Sequence, residues 1–216
     1  EASMANLPYL MVLAAKAKSH IVVVGDPMQL PPIALTDDAH ARKFLEDDIF
    51  TFASNAETTE ELFAWHDQHR PLTTFYDTQY RLNEDLAEVL STVFYEGRLK
   101  TAQPDDELDS AIKPQKSSNP TVNVIDSQKY GATLTQKDEG QGFSPVNEVH
   151  KRMLIKMVKR LVLKNQVPVD ELGIIVPFRN AVYDIRRELY DHDLGVIEVG
   201  TIHTFQGREK EVIIFD

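Results

Sequence analysis

Residues Ile21 to Pro32 read IVVVGDPMQLPP, and this stretch decides the fold class. Its first four residues are apolar, which is typical of a strand buried on both faces of a parallel sheet that is covered by helices. A polar turn with Gly25, Asp26 and Gln29 follows directly. Because open α/β sheets bind ligands at the carboxyl ends of their strands, this turn is a candidate site.

The composition excludes several classes of protein. With 216 residues, of which 42% are hydrophobic, the chain is long enough for a sizeable core. It has no cysteine, so disulfides and thiolate metal sites are excluded. No apolar run approaches the roughly 20 residues of a membrane span, and the first residues do not resemble a signal peptide. We therefore expect a cytoplasmic protein without a membrane partner, nucleoid-associated if bacterial.

The net charge of −11 argues against indiscriminate binding to nucleic acid, but the distribution of charge matters more. Residues 1–145 carry 12 basic and 23 acidic side chains, whereas residues 146–216 carry 11 of each. The last third is therefore compatible with a nucleic-acid groove. For the basic helix predicted at residues 148–164, a solvated outer face is the favoured interpretation, ahead of a nucleic-acid face.

Strand and helix patterns alternate along the chain. Strand, helix, strand, helix and strand follow one another from residue 172 onward, which predicts a parallel sheet. In the longest helix the line of Val149, Met153, Met157 and Leu161 predicts the buried side. Helices are predicted at 7–18, 39–45, 59–66, from Asn83 to a stop at Gly97, at 148–164 and around 182–189; strands are predicted at 21–24, 72–76, 121–125, 172–176, 196–199 and 212–215.

The polar clusters after the predicted strands are suited to nucleotide chemistry. The Gln29 amide can donate to a phosphate oxygen and accept from a water, so beside a triphosphate it would report the terminal phosphate. The Arg81 guanidinium is suited to bridging phosphoryl oxygens, although a surface ion pair is the simpler explanation of one arginine. Asp26 fits an ordinary turn about equally well. Glu209 is either part of a surface turn or an acceptor for ribose hydroxyls.

The segment after the strand at 196–199 is suited to backbone phosphates. Thr201 and Thr204 offer small hydroxyls and His203 offers an imidazole, and such groups contact phosphates without sequence preference. A single histidine such as His203 is more often structural. The position of these residues directly after a strand makes the nucleic-acid interpretation worth testing.

The ordered combination of motifs is more specific than any one of them. The chain contains, in order, EASMANLPYL, VVVGDPMQLPPI, TQYRLNEDLAEVLSTVFYEGRL, IIVPFRNAVYDIRREL and VGTIHTFQGREKEVIIFD. This series resembles the superfamily 1 helicases of the Upf1-like branch. The resemblance implies an α/β fold of the RecA-like P-loop NTPase type, with a parallel sheet flanked by helices. It assigns residues 1–70 to the end of a first RecA-like domain and residues 71–216 to most of a second.

The resemblance also implies roles at a nucleotide site that uses ATP and Mg²⁺. Glu1 would orient the attacking water, and the magnesium-binding Asp of the same motif would precede it, so no metal ligand is expected within this chain. Gln29 would sense the terminal phosphate, with Asp26 beside it, and Arg81 would act as an arginine finger. The remaining residues implied at the nucleotide are Gln79, Tyr80, Gly207 and Glu209.

The resemblance further implies that a nucleic-acid strand is held by Pro177, Phe178, Arg179, Thr201 and His203. The implied function is an ATP-dependent helicase or translocase that moves 5′ to 3′ on a single strand. We expect a monomeric motor, and the compact motifs and short insertions favour DNA over RNA, with DNA repair or replication as the process.

The chain reads as an internal segment of such a motor. None of its nine glycines is followed by lysine, so the phosphate-binding loop is missing, and the second arginine finger of motif VI is expected beyond Asp216. We therefore expect no hydrolysis by this segment alone. Two alternatives stay open, namely a degenerate RecA-like platform without hydrolysis and the helicase module of a helicase–nuclease fusion.

Overall fold

A computed structural model of the chain describes residues 2–102, 122–133, 135–137 and 144–216. It divides into two compact units, Glu1–Asn123 and Val124–Asp216, called unit 1 and unit 2 below. The boundary between these units does not coincide with the predicted division after residue 70, because residues 71–102 belong to unit 1. The assignment of residues 1–70 and 71–216 to two RecA-like domains stays a prediction.

Unit 1 contains five helices among its described residues, and each begins at a side-chain N-cap. The caps are short polar residues whose side chains accept backbone N–H bonds, which suits them to helix starts. The prediction of Asn83 as a cap is confirmed by its bond from the Leu86 N–H at 3.0 Å. The helices are α1 (Leu7–Ala14), α2 (Ala39–Glu46), α3 (Ile49–Ser54), α4 (Thr59–Gln68) and α5 (Glu84–Phe94).

The prediction of a buried strand at residues 21–24 is wrong in this structure. The segment is not a strand, and Val22 and Val24 expose 85% and 67% of their surface. A strand requires a hydrogen-bonded neighbour. The described part of unit 1 shows one backbone bond to this segment, from the Ala2 N–H to the Val24 carbonyl at 3.2 Å. The apolar run therefore stays unpaired, although the polar turn after it forms.

The strand predicted at residues 72–76 is also absent, and pairing begins later. The N–H groups of Leu72 and Thr73 donate to the His69 carbonyl at the end of α4, which turns the chain instead of extending it. Strand β1 (Thr78–Gln79) pairs in parallel with β2 (Lys100–Thr101), on the far side of α5 in sequence. Tyr80 and Arg81 therefore follow a strand, as predicted, but a shorter and later one that includes Gln79.

Unit 2 contains the predicted parallel sheet. It runs β5 (Leu172–Ile175), α7 (Arg179–Tyr190), β6 (Glu198–Gly200), α8 (Ile202–Phe205) and β7 (Val212–Phe215). The strands are parallel in the order β6-β5-β7. Before them come an antiparallel pair, β3 (Thr135–Lys137) and β4 (Ser144–Val146), and the long helix α6 (Glu148–Leu163). Residues 122–125, within the strand predicted at 121–125, form no strand.

Helices α6 and α7 cover the sheet of unit 2 and bury its core. Val182, Ile185 and Leu189 are buried, as the spacing of α7 predicts. In α6 the predicted line is displaced, because its buried residues are Leu154, Ile155 and Val158. Met157 and Leu161 only flank them as partly buried neighbours. No helix among the described residues combines the length and the apolarity that a membrane crossing requires.

Candidate nucleotide and nucleic-acid sites

The polar turn of unit 1 is organised by the Asp26 carboxylate. One oxygen accepts the Met28 N–H at 3.0 Å, and the other accepts the Gln29 side-chain Nε2 at 2.9 Å. The Asp26 carbonyl accepts the Gln29 N–H at 3.1 Å, which closes the turn. Gln29 is exposed. The sequence therefore located a real turn, and Asp26 is the residue that fixes the side chain of Gln29.

The segment after Glu1 lies against this turn. A Cβ on Gly25 would come within 2.9 Å of the Ala2 nitrogen, so glycine is required for the close approach. Ser3 is fully buried, and its hydroxyl has no hydrogen-bond partner among the described residues. The EAS and GDPMQ motifs are therefore neighbours, as a shared site requires. Glu1 itself lies outside the described residues, and its catalytic role stays a prediction.

The turn that presents Arg81 is held by the Gln79 side chain. The Gln79 Oε1 accepts the N–H groups of Arg81 at 2.9 Å and of Leu82 at 2.7 Å. Its Nε2 donates to the Leu82 carbonyl and to the Thr101 hydroxyl, both at 2.9 Å. Tyr80 and Arg81 are both exposed to solvent. Gln79 thus has a structural role that the sequence did not indicate, while its predicted contact with nucleotide stays untested.

A hydrogen bond between residues far apart in sequence joins the two motif regions of unit 1. The Tyr95 hydroxyl, at the C-terminal end of α5, donates to the Asp26 carboxylate at 2.5 Å. Asn83, two residues after Arg81, caps the other end of the same helix. The turns of Gln29 and of Arg81 therefore lie in one compact unit and are connected through α5.

In unit 2 the residues predicted to bind a nucleic-acid strand lie at one edge of the β-sheet. Ile175 pairs with Gly200, and the Val176 N–H donates to the Gly200 carbonyl at 3.0 Å, so β5 and β6 end side by side. Residues 177–179 follow β5 and residues 201–203 follow β6, and Pro177, Phe178, Arg179 and His203 are exposed. The Thr201 hydroxyl lies 3.1 Å from that of Thr204. These residues therefore lie at the carboxyl edge of the sheet, and their contact with a nucleic-acid strand stays a prediction.

Glu209 lies near the opposite edge. Its neighbour Arg208 pairs with Glu198 at the start of β6, and the Lys210 ammonium donates to the Asp170 carbonyl at 2.5 Å, just before β5. Four residues of strand, roughly 13 Å, separate the two edges. Gly207 has a φ of +78°, a left-handed conformation that favours glycine, and open space around its Cβ position. The chain turns at this residue between Thr201 and Glu209. Glu209 and Thr201 therefore lie at opposite edges of the sheet.

Sequence reasoning missed a hydrogen-bonded chain in unit 2. The Ser127 Oγ lies 2.7 Å from the His150 Nε2, and the His150 Nδ1 lies 2.5 Å from the Asp216 carboxylate. Serine hydrolases use this order of groups together with a pair of oxyanion donors. In this protein the three hydrogen-bonded side chains connect the start of α6 to the end of β7. No local pattern reveals it, because its members are 23 and 66 residues apart.

Ion pairs support the framework of unit 1. Hydrogen bonds from Arg70 and then Arg98, each at 3.0 Å, hold the pKa of Asp67 below its ordinary value. A bond from Lys100 at 2.9 Å likewise lowers the pKa of Asp77, next to β1. Among the described residues, no three acidic, histidine or cysteine side chains converge in a way that could hold a metal ion.

The parallel sheet with polar turns at its carboxyl edge belongs to the α/β class, in which ligands bind at that edge. The family model described as AAA domain matches residues 58–216, and the chain belongs to this family. The match confirms the α/β fold class that the sequence predicts.

Named relatives narrow the class. Helicase SEN1 of Saccharomyces cerevisiae is 28% identical over 89% of this chain and 8% of its own length. RNA helicase Mov10l1 of Homo sapiens is 28% identical over 99% of the chain and 18% of its own length. The human DNA replication ATP-dependent helicase/nuclease DNA2 is 25% identical over 89% of the chain and 18% of its own length. The resemblance to the Upf1-like branch of superfamily 1 helicases is confirmed, and the chain spans less than a third of each relative.

Proposed function

We propose that the complete protein is an ATP-dependent helicase or translocase that moves 5′ to 3′ along a single nucleic-acid strand. The names of its relatives support this function, since they include an RNA helicase and a DNA replication ATP-dependent helicase/nuclease. In this proposal, closure of two RecA-like domains around ATP advances the strand, and hydrolysis reopens them.

The observation that carries the proposal is the polar edge of unit 2. Two adjacent parallel strands end together at Ile175 and Gly200, and both continue into exposed segments that contain Arg179 and His203. Backbone N–H groups, hydroxyls and a guanidinium at one edge suit a run of phosphates, and they bind without regard to base sequence. A motor that walks on any sequence needs this kind of contact.

The nucleotide side of the proposal rests on unit 1. Gln29 and Arg81 are both exposed on hydrogen-bonded turns, so each can reach a ligand without rearrangement of the turn. Gln29 would sense the terminal phosphate of ATP, and Arg81 would stabilise the charge that develops during transfer. In this proposal Mg²⁺ would be held by one or two carboxylates and by the phosphates of ATP.

We infer that single-stranded DNA is preferred to RNA and that the motor acts as a monomer in the cytoplasm. Relatives named for RNA and for DNA are both present, so the preference depends on the compact motifs and short insertions of this chain. Phosphate contacts alone do not distinguish the two polymers, because only the 2′-hydroxyl differs along the backbone.

The test is hydrolysis of ATP by the complete protein with and without single-stranded DNA or RNA, followed by unwinding of duplexes with 5′ or 3′ tails. We expect strand-stimulated hydrolysis and unwinding from the 5′ tail. Hydrolysis that no strand stimulates would contradict the motor function. Unwinding from the 3′ tail would contradict only the polarity.

A pair of variants tests the polar edge directly. Arg179→Ala removes a charge at the carboxyl edge, whereas Arg187→Ala removes one from the last turn of the same helix, α7. We expect Arg179→Ala to weaken binding of single-stranded nucleic acid. It should also reduce the slope of the logarithm of the binding constant against the logarithm of salt concentration by about 1. The Arg187 control leaves both quantities unchanged. Equal effects of the two variants would argue against a defined site.

A further inference from the structure

We propose that Tyr95 is a positioning residue for Gln29 and that it acts through Asp26. The Tyr95 hydroxyl donates to the Asp26 Oδ2 at 2.5 Å, and the same oxygen accepts the Gln29 Nε2 at 2.9 Å. The second oxygen, Oδ1, accepts the Met28 N–H at 3.0 Å. Of these donors, only the Tyr95 hydroxyl comes from outside the turn.

Hydrogen bonds hold the backbone on both sides of Tyr95. The N–H groups of Tyr95 and Gly97 both donate to the Ser91 carbonyl, at 3.0 and 2.9 Å. The residue between them, Glu96, has a φ of 52° and Gly97 one of +72°, so the chain turns sharply after α5. The buried Ser91 hydroxyl adds bonds to the Leu99 N–H at 3.0 Å and carbonyl at 2.7 Å. The backbone that carries the Tyr95 ring is therefore held by several hydrogen bonds.

Packing holds the ring from its other side. The Tyr95 ring lies 6.4 Å from the Phe75 ring, and Phe75 makes an edge-to-face contact with Phe63 of α4 at 5.2 Å. The Arg98 guanidinium lies 4.4 Å from the centre of the Phe63 ring. The hydroxyl of Tyr95 therefore approaches Asp26 from a packed cluster rather than from a mobile loop.

This arrangement fixes the direction of the Gln29 amide. Because the Asp26 carboxylate accepts a hydrogen bond from the Gln29 Nε2, the orientation of the Gln29 side-chain carbonyl oxygen is set as well. A bond from a hydroxyl to a carboxylate is short and strong, so Tyr95 restricts the Asp26 carboxylate to one rotamer. Without that bond the carboxylate can turn toward solvent, and Gln29 loses its fixed direction.

The catalytic consequence rests on the proposed function. Tyr95 acts through two other residues and is not placed at the nucleotide, so its loss should alter the hydrolysis step and leave ATP binding intact. Misplacement of a catalytic group by about 1 Å can cost up to roughly 100-fold in rate. For Tyr95→Phe, which removes only the hydroxyl and keeps the ring on Phe75, we expect about a tenfold lower kcat. The KM for ATP should stay within about twofold.

The experiment uses the complete protein with saturating single-stranded DNA. Tyr76→Phe is the matched control, because Tyr76 is 78% exposed and lies on the chain close to the same cluster. We expect this control to match the wild type in kcat, KM and melting temperature. Tyr95→Phe should show the lower kcat with a melting temperature within a few degrees of the wild type.

A double mutant separates positioning from general loosening of the fold. If Tyr95 acts through Gln29, Tyr95→Phe has no further effect on a Gln29→Ala protein. A further tenfold loss in that background would overturn the inference, as would a wild-type kcat in Tyr95→Phe. Both results leave the proposed function intact, because the wild type still hydrolyses ATP.

A second readout remains decisive even if the proposed function fails. Hydrogen exchange of the Met28 amide, which Asp26 accepts directly, reports the order of the turn without any turnover. We expect faster exchange at Met28 in Tyr95→Phe and unchanged exchange in Tyr76→Phe. Identical exchange in the wild type and in Tyr95→Phe would overturn the inference.

Discussion

Replacement of Gln79 by alanine tests whether the turn that presents Arg81 depends on one side chain. Gln79 is half-buried and makes four hydrogen bonds between 2.7 and 2.9 Å, to Arg81, Leu82 and Thr101. A typical intramolecular hydrogen bond contributes about 0.5–1.5 kcal/mol net, so four bonds set an upper range of about 2–6 kcal/mol. Because water can replace part of them at a half-buried position, we expect a loss of about 2–3 kcal/mol.

The assay exploits the single tryptophan of the chain. Trp65 lies in α4 of unit 1 and stacks on His69, so its fluorescence reports unfolding of unit 1. Urea unfolding of the 216-residue chain should show a lower midpoint for Gln79→Ala. Gln79→Glu keeps both acceptor bonds, but its second carboxylate oxygen faces the Leu82 carbonyl, so its loss should be at least half as large. Gln68→Ala, at an exposed position of α4, is the control and should stay within about 0.5 kcal/mol of the wild type.

A midpoint of Gln79→Ala equal to that of the wild type would refute the reasoning. It would mean that β1, β2 and the start of α5 hold the turn without the side chain. In that case Gln79 would be available for the nucleotide contact that the motif implies, and the Gln79→Ala defect would then appear in the KM for ATP instead of in stability.

Four further outcomes follow from the described structure. Arg81→Ala in the complete protein should retain ATP binding and lose roughly 10³-fold in hydrolysis, as measured by steady-state ATPase assays, and unchanged turnover would remove the arginine-finger role. Leu172→Ala, at a fully buried position of β5, should cost about 2–5 kcal/mol in urea unfolding followed by circular dichroism. Because bonds from Arg70 and Arg98 lower the pKa of Asp67, its stabilisation is present above about pH 4 and is lost as the pH falls through that lowered pKa; in thermal melts Asp67→Asn should therefore differ from the wild type at pH 7, and the difference should shrink on acidification. The 216-residue chain by itself should show no ATP hydrolysis that single-stranded nucleic acid stimulates, because its sequence lacks the phosphate-binding loop; such turnover would contradict this prediction.

The sequence determined the local elements because their signals are local. Short polar caps such as Asn83, and the spacing of Val182, Ile185 and Leu189 in α7, depend only on residues within one or two turns of helix. The alternation from residue 172 onward likewise predicted the parallel sheet, and the polar residues after β5 and β6 predicted the contents of its carboxyl edge.

Tertiary structure decided what local patterns cannot encode. The apolar run at residues 21–24 is a strand only if another strand pairs with it, and the described part of unit 1 does not provide one. The buried face of α6 contains Leu154 and Val158 instead of the predicted line. The helix has more than one line of apolar residues, and the elements that pack against it determine which line is buried. Asp26 and Tyr95 are 69 residues apart in sequence, and only folding brings the hydroxyl to the carboxylate. The order of the Gln29 turn therefore depends on a contact that exists only when α5 is packed.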